Sequence, residues 1–323
     1  MCSCSQKILI LNIMKKILLT LIDLIFLTRP VVVVPVWGFC AFGVYAGAGG
    51  RILTHLEPHQ YLLILLYSLS PACVYVLNQI ADYEVDARNG GFPLLVRGGI
   101  SMPAAWACAA VCGLASITGP LFMGYPSISA LSLTAIALGY VYSFKPFSLS
   151  GRPFCDFLTN ALEAALAFSA GWAVIGAEFS PPRLCGSALP YFLLMCAGSI
   201  SSTLPDIEGD KECGKVTTAV RFGPTAAHRI ALTALAVSIP ASLFLSADLL
   251  ALACAAVAVP TYIPYIIKPK KEYMELTYKV GGAAIMIAAS LALPLLFPAG
   301  LFIFAATKIY FRIRHGVSYP SLN

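Results

Sequence analysis

The sequence predicts an all-α, polytopic membrane protein, with about nine transmembrane helices around a central cavity and a cytoplasmic polar cap. Three observations predict it. The 323-residue chain is 59% hydrophobic and only 11% charged, where a soluble domain carries roughly 25% charged residues. Its apolar residues fall in runs close to the ~20 that a helix needs to cross the hydrocarbon. Its lysines and arginines gather on alternate connections, the asymmetry that orients a chain in a bilayer. Nine such spans leave no room for a soluble catalytic domain, so any chemistry is expected at or in the membrane.

The elements follow in order. Residues 1–30 read as an N-terminal tail and an interfacial helix. Lys7 precedes an apolar run, but Lys15 and Lys16 interrupt it and no small-residue cleavage site follows, so the pattern is not that of a signal peptide. Residues 8–28 read instead as an amphipathic helix lying in the interface and ending at Arg29-Pro30. Cys2 and Cys4 suit either lipidation near a membrane or an unstructured tail. Residues 31–306 read as one nine-helix domain, with apolar segments near 31–48, 60–81, 102–122, 125–143, 157–177, 187–205, 226–246, 248–267 and 280–306. Proline, glycine and serine inside them are tolerated because neighbouring helices satisfy the backbone, and small residues favour close packing in lipid. Residues 307–323 read as a basic C-terminal tail.

With the N-terminus on the cytoplasmic side, sixteen lysines and arginines fall on inside segments and five outside: Arg51, Arg183, Lys308, Arg312 and Arg314. Three of those five sit in the tail, the one blemish in the pattern. The longer polar loops, 82–101, 144–156, 206–225 and 268–279, all lie on the inside face. The eleven cysteines are scattered through apolar runs, with neither zinc spacing nor a disulfide framework. His55, His59, His228 and His315 lie apart and are assigned no chemistry.

Two acidic motifs stand out. The first is Asn78-Gln-Ile-Ala-Asp82-Tyr-Glu-Val-Asp86, whose i, i+4, i+8 spacing aligns three side chains along one helical stripe. No acid is clearly placed at the bilayer midplane; these lie at the end of an apolar run, where ionisable groups are costly and usually functional. The second is Pro205-Asp206-Ile-Glu-Gly-Asp210-Lys211 followed by Lys215. Pro205 is expected to break the helix, and Gly209 and Gly214 let the backbone bend. Magnesium takes oxygen ligands and is often held by one or two carboxylates plus substrate phosphate. Two such arms, at Asn78, Asp82 and Asp86 and at Asp206 and Asp210, therefore suit Mg²⁺ against a diphosphate. Arg88, Arg97, Lys145, Lys211, Lys215 and Arg221 share that membrane face and could bind the remaining oxygens. Asp156 and Arg152 read as loop or structural pairs. The acidic motifs, and Tyr-x-x-Lys-Pro at Tyr142–Pro146 and Tyr265–Pro269, recur four helices apart. That suits two four-helix halves plus a ninth helix; chance recurrence of common interfacial residues is the other reading.

At these residues the chain resembles the UbiA superfamily of intramembrane prenyltransferases, whose paired motifs follow the second and sixth helices. Leu-Thr-Arg-Pro (27–30), Tyr-Ser-x-x-Pro (142–146) and Asp-Ile-Glu-Gly-Asp-Lys…Gly-Lys…Ala-Val-Arg-Phe-Gly (206–223) are similar as well. Two features depart from the family pattern: Asn78-Gln79 replaces Asn-Asp, and residues 88–97 replace an Arg-Thr-x-x-Arg-Pro-Leu stretch. The resemblance implies Mg²⁺-assisted ionisation of an isoprenyl diphosphate donor and alkylation of an aromatic, quinone-precursor or lipid acceptor. Catalytic roles would fall to Asp82, Asp206 and Lys211. Substrate binding would fall to Arg88, Arg97, Tyr142, Ser143, Lys145, Lys215 and Arg221. Tyr75, Tyr83, Tyr140 and Tyr142 are candidates to line the path of a carbocation, since ring faces attract cations. The expected partners are donor, acceptor and lipid bilayer, with no nucleic acid and no obligatory protein partner. A rival reading is an ion-coupled transporter, which also uses acids at helix ends. A CDP-alcohol phosphotransferase is excluded because Asp86-Ala-Arg-Asn-Gly does not carry its signature.

Overall fold

The computed structural model describes the backbone of residues 2–89, 93–96 and 99–320. Among them, a helix α1 (Cys2–Leu27) is followed by α2 (Pro30–Gly47) and α3 (Pro58–Ala81). Two short helices come next, α4 (Tyr83–Asn89) and α5 (Pro93–Val96), then α6 (Met102–Phe122), α7 (Pro126–Ser143), α8 (Cys155–Val174) and α9 (Pro181–Thr203). The second motif loop forms α10 (Ile207–Glu212) and α11 (Thr218–Phe222), and the chain closes with α12 (Pro224–Ala241), α13 (Leu249–Ile267), α14 (Lys271–Ala292) and α15 (Leu296–His315). Eight of the described helices are long and apolar enough to cross a membrane by length and composition.

Proline sets the start of α2, α3, α7, α9 and α12, where its missing N–H costs nothing and its fixed φ suits the first turn. Asp248 caps α13, accepting from the N–H groups of Leu250 at 2.9 Å and Ala251 at 3.0 Å. At the centre, α2 packs on α8. Gly43 faces the backbone of Phe168 and Trp172, and Gly171 faces the backbone of Cys40. A side chain at either glycine would run into main chain that cannot rotate away, so the two helices touch backbone to backbone. Large apolar side chains on the outer faces, such as Phe122 and Phe302, are exposed, as a lipid-facing surface requires. On α1, Met14, Ile17, Leu18, Leu21 and Ile25 form one exposed apolar stripe.

The last third of the chain corrects the sequence reading. The expected ninth span, 280–306, is two helices, α14 and α15. Pro294 supplies the break: it disfavours helical backbone in the residue before it, and Leu293 is extended at φ −140°, ψ 95°. The predicted polar loop 268–279 is mostly the first turns of α14, braced by a Lys279–Glu275 ion pair at 3.0 Å. The predicted tail is helical to His315. Helix α15 returns its basic end to α1, where Arg314 pairs with Asp23 at 3.0 Å and Tyr310 stacks on Phe26 with ring centroids 3.8 Å apart. Leu27 in turn accepts a 2.8 Å hydrogen bond from Gln79, next to the first acidic motif. Arg314 thus lies toward the end of the bundle that carries the acidic motifs.

Candidate functional site

A cavity of about 280 Å³ lies between α2, α3, α7, α8 and α9. Its deeper wall is apolar and aromatic, with Phe39, Tyr67, Pro71, Ala167 and Met195. Its polar wall carries Arg29, Asn78, Tyr142, Asn160 and Glu163. The cavity reaches the motif end of the bundle at Asn78 and Tyr142, so each acidic motif has a defined position relative to it.

The first motif does not ride on one uninterrupted helix. Helix α3 stops at Ala81, Asp82 is its C-cap and α4 starts at Tyr83. The i+4 backbone ladder nevertheless continues, with Asp82 N–H to Asn78 O at 2.9 Å and Asp86 N–H to Asp82 O at 2.8 Å, which keeps the expected stripe nearly in line. The Asn78 amide donates to Asp82 Oδ2 at 3.1 Å and to Ser143 Oγ at 3.4 Å. Ser143 thereby ties the end of α7 to the first motif.

The second motif lies on a short 3₁₀ turn, Leu204–Asp206, and on α10. Its loop folds back at Gly214, whose φ of +72° suits glycine. Lys215 N–H then bonds Asp210 O at 2.9 Å, and the Thr217 hydroxyl donates to Asp210 Oδ2 at 3.3 Å. Lys215 packs on Gly151 and is the cation nearest in effect to Asp210. Two latches fasten this loop to α8 and the segment before it. Asp156 accepts from Thr218 N–H at 2.8 Å and from the Thr218 hydroxyl at 2.6 Å. Val216 N–H bonds Gly151 O at 3.0 Å. Asp156 and Arg152 do not pair with each other as expected: Arg152 donates to Pro146 O at 2.8 Å.

Tyr142 links the two motifs. Its hydroxyl meets the Asn160 side chain, and Asp156, Asp82 and Asp210 all lie within electrostatic reach of it. Asp206 lies close enough to Asp210 to act on its charge. Asp206, Lys145, Lys211 and Arg221 are exposed, whereas Asp82, Asp86, Asp210, Lys215 and Ser143 are half-buried. Arg97 lies outside the described residues, and of Arg88 only the backbone is described. Of the four candidate tyrosines, Tyr75 and Tyr142 line the cavity. Tyr83 and Tyr140 do not: both are exposed, and Tyr140 stacks on Phe144 at 4.7 Å. His228 is buried and bonded to Tyr262 O at 3.0 Å, in keeping with a structural role.

Sequence reasoning missed three cavity residues as site residues. Arg29 holds a left-handed backbone at φ 53°, ψ 60° between α1 and α2, a costly conformation for a non-glycine residue. Asn160 and Glu163 face the cavity from α8. Glu163 lies about 12 Å along α8 from the start of that helix. An ionisable residue within the apolar run 157–177 was the available signal.

Among the described residues, no three histidine, cysteine, aspartate or glutamate side chains converge to hold a metal ion. The donors at the mouth are carboxylate and amide oxygens in two separate groups, Asn78, Asp82 and Asp86 in one and Asp206 and Asp210 in the other. That set could hold an oxygen-seeking cation only if other oxygens completed its shell.

A family model described as the UbiA prenyltransferase family matches residues 36–277. A 2-acylphloroglucinol 4-prenyltransferase of Humulus lupulus is 32% identical over 50% of this chain and 41% of its own length. A digeranylgeranylglyceryl phosphate synthase of Methanoregula boonei is 31% identical over 67% of this chain and 74% of its own. The chain thus matches about two fifths of the length of the plant relatives. The structure of a UbiA homolog from Archaeoglobus fulgidus bound to GPP and Mg²⁺ superposes with a TM-score of 0.65 at 22% identity. It covers 85% of this chain and 99% of that one.

Proposed function

The chain belongs to the UbiA prenyltransferase family, an integral, multi-pass membrane protein, and from that premise we propose that it is a magnesium-dependent intramembrane prenyltransferase. It ionises an isoprenyl diphosphate and transfers the prenyl group to an aromatic, quinone-precursor or lipid acceptor. One observation carries the reading: Asp82 of the first motif and Asp210 of the second both lie within electrostatic reach of Tyr142, at the mouth of a cavity whose deeper wall is apolar. A diphosphate at the mouth and a prenyl chain in the cavity match that polarity. The motifs and the N-terminus face the cytoplasm in this reading, in agreement with the gathering of basic residues at that end.

Asp82 and Asp86 on one side, and Asp206 and Asp210 on the other, are the residues that would hold magnesium, with Asn78 orienting Asp82. Their all-oxygen, two-by-two arrangement fits a cation whose shell is completed by substrate phosphate and water. Bound there, magnesium supplies neutralisation of the charge that builds on the departing diphosphate. The protein's own part is binding, orientation and exclusion of water. Lys215, half-buried beside Asp210, binds diphosphate oxygens, with Lys211, Lys145 and Arg221 at the outer edge. Arg29 brings a permanent cation to the polar wall of the same cavity. Tyr67, Tyr75 and Tyr142 offer ring faces to the allylic cation, and the apolar wall keeps water from capturing it. The A. fulgidus homolog carries GPP and Mg²⁺ together in a bundle of the same fold, which supports the pairing of donor and metal here.

The test is turnover by the purified protein in nanodiscs, with labelled dimethylallyl, geranyl and geranylgeranyl diphosphates and Mg²⁺. Wild type consumes donor, and Asp82→Ala and Asp206→Ala abolish consumption. Full turnover in both variants sinks the assignment of the motifs. Flux of an ion across the nanodisc-equivalent vesicle without donor consumption favours the transporter instead.

A further inference from the structure

Glu163 is the polar feature of the cavity that donor binding leaves unused. It sits on the cavity face of α8 with Thr159, Asn160 and Ala167. Its Oε1 is shut off from solvent and has no hydrogen-bond partner among the described residues. A buried carboxylate oxygen without a donor is costly by several kcal/mol unless something pairs with it, and a cavity-facing one can be paired by a ligand.

Its depth says which part of a ligand it meets. Asn160 holds the Tyr142 hydroxyl at the level of the acidic motifs. Glu163 lies three residues further along α8, about 4.5 Å deeper, and close enough to Tyr67 and Tyr75 to act on both electrostatically. A diphosphate held at the motifs puts its allylic carbon at this depth, so Glu163 faces the bond being made rather than the leaving group. Phe39, Tyr67 and Tyr75 around it suit a flat ring.

Resting on the prenyl-transfer reading above, we infer that Glu163 recognises a phenolic acceptor by accepting a hydrogen bond from its hydroxyl, and takes that proton as the ring is alkylated. The allylic C–O bond breaks with its electron pair going to diphosphate. A ring carbon ortho or para to the hydroxyl forms the new C–C bond. The phenolic proton moves to Glu163, leaving a dienone whose ring proton then passes to oxygen and restores the phenol, while Glu163 hands its proton to the departing diphosphate and is a carboxylate again. A hydroxyl-free acceptor offers Glu163 nothing to pair with.

The experiment uses full-length protein in nanodiscs with Mg²⁺ and the three prenyl diphosphates. The acceptors are homogentisate, 4-hydroxybenzoate and an acylphloroglucinol, each beside its methyl ether. Wild type alkylates at least one phenol and discriminates against its ether. Glu163→Gln lowers acceptor kcat/KM by about 100-fold and leaves donor KM within about twofold. It also removes the acid limb of the pH profile, which a purely structural role would not do, and Glu163→Asp restores part of the rate. Unchanged acceptor kcat/KM in Glu163→Gln overturns the proposal, as does a loss confined to donor KM. Should Glu163→Gln fail to fold, equal wild-type rates with a phenol and its ether overturn it equally. Donor consumed with no phenol alkylated overturns this proposal alone. Donor left untouched by wild type overturns the prenyl-transfer reading first.

Discussion

The Asp156 carboxylate holds Thr218 twice, through the backbone N–H at 2.8 Å and the hydroxyl at 2.6 Å. Asp156 opens α8, which carries Asn160 and Glu163 into the cavity, and Thr218 opens α11, which ends the second motif loop. One buried side chain thus sets the position of Asp206 and Asp210 relative to the cavity. Asp156→Asn keeps the shape but cannot accept at both atoms. It should raise donor KM about tenfold, and Mg²⁺ demand with it, while costing about 1–3 kcal/mol of stability. Steady-state kinetics and thermal melts in detergent check both; unaltered donor KM would show that the latch does not govern the site.

The two lysines of the second motif should differ. Lys215 is half-buried on Gly151, and its charge acts on Asp210, whereas Lys211 is exposed on the outer side of α10. An exposed cation is screened by solvent, and a sheltered one is not. Lys215→Gln should raise donor KM about tenfold or more, and Lys211→Gln by no more than about threefold. The reverse order would return the leading role to Lys211.

Much of this was legible in the chain because it depends on local period and charge. The runs that became α2, α3, α6, α8, α9, α12 and α13 are apolar over a membrane thickness, and Asn78, Asp82, Asp86, Asp206 and Asp210 repeat at helical spacing. What escaped depends on contacts distant in sequence. Arg29 enters the cavity only because α2 starts in a left-handed turn, and Asn160 matters through Tyr142 on another helix. Glu163 was hidden by the run that follows it: Ala164–Val174 is apolar but for Ser169, and outweighs one acid in any average. The split at Pro294 was masked because both flanks are apolar, although the proline itself was the signal.

The contact of α2 with α8 should be the least forgiving packing in the protein. Gly43 and Gly171 face backbone atoms of the opposite helix, so even one methyl must push the helices apart. Gly171→Ala should destabilise by about 1–3 kcal/mol, and Gly171→Leu should prevent recovery of folded protein. Gly209→Ala, where a Cβ meets open space, should leave the melting temperature within about 2 °C. A Gly171→Ala protein as stable as wild type would refute the backbone contact.

The Asp23–Arg314 pair fastens the end of α15 to α1, and its contribution has a defined pH dependence. Burial alone would raise the Asp23 carboxyl, but hydrogen bonds from Arg314 and Tyr310 outweigh it and hold the group below its ordinary value. A carboxyl depressed in the folded state stabilises the fold above its unfolded value near 3.9, and the stabilisation is lost as pH falls through the lower, folded value. Arg314 is 39% exposed, so solvent screening limits the pair to on the order of 1 kcal/mol. Asp23→Asn should therefore lower the melting temperature at pH 7 by a few degrees. The gap to wild type should persist down to about pH 4 and close below it, as wild-type Asp23 is protonated. The cavity lies apart from this pair, so turnover at pH 7 and a temperature well below the melt should be unchanged. A gap that closes near neutral pH, or one that never closes, would mean that another group holds α15 in place.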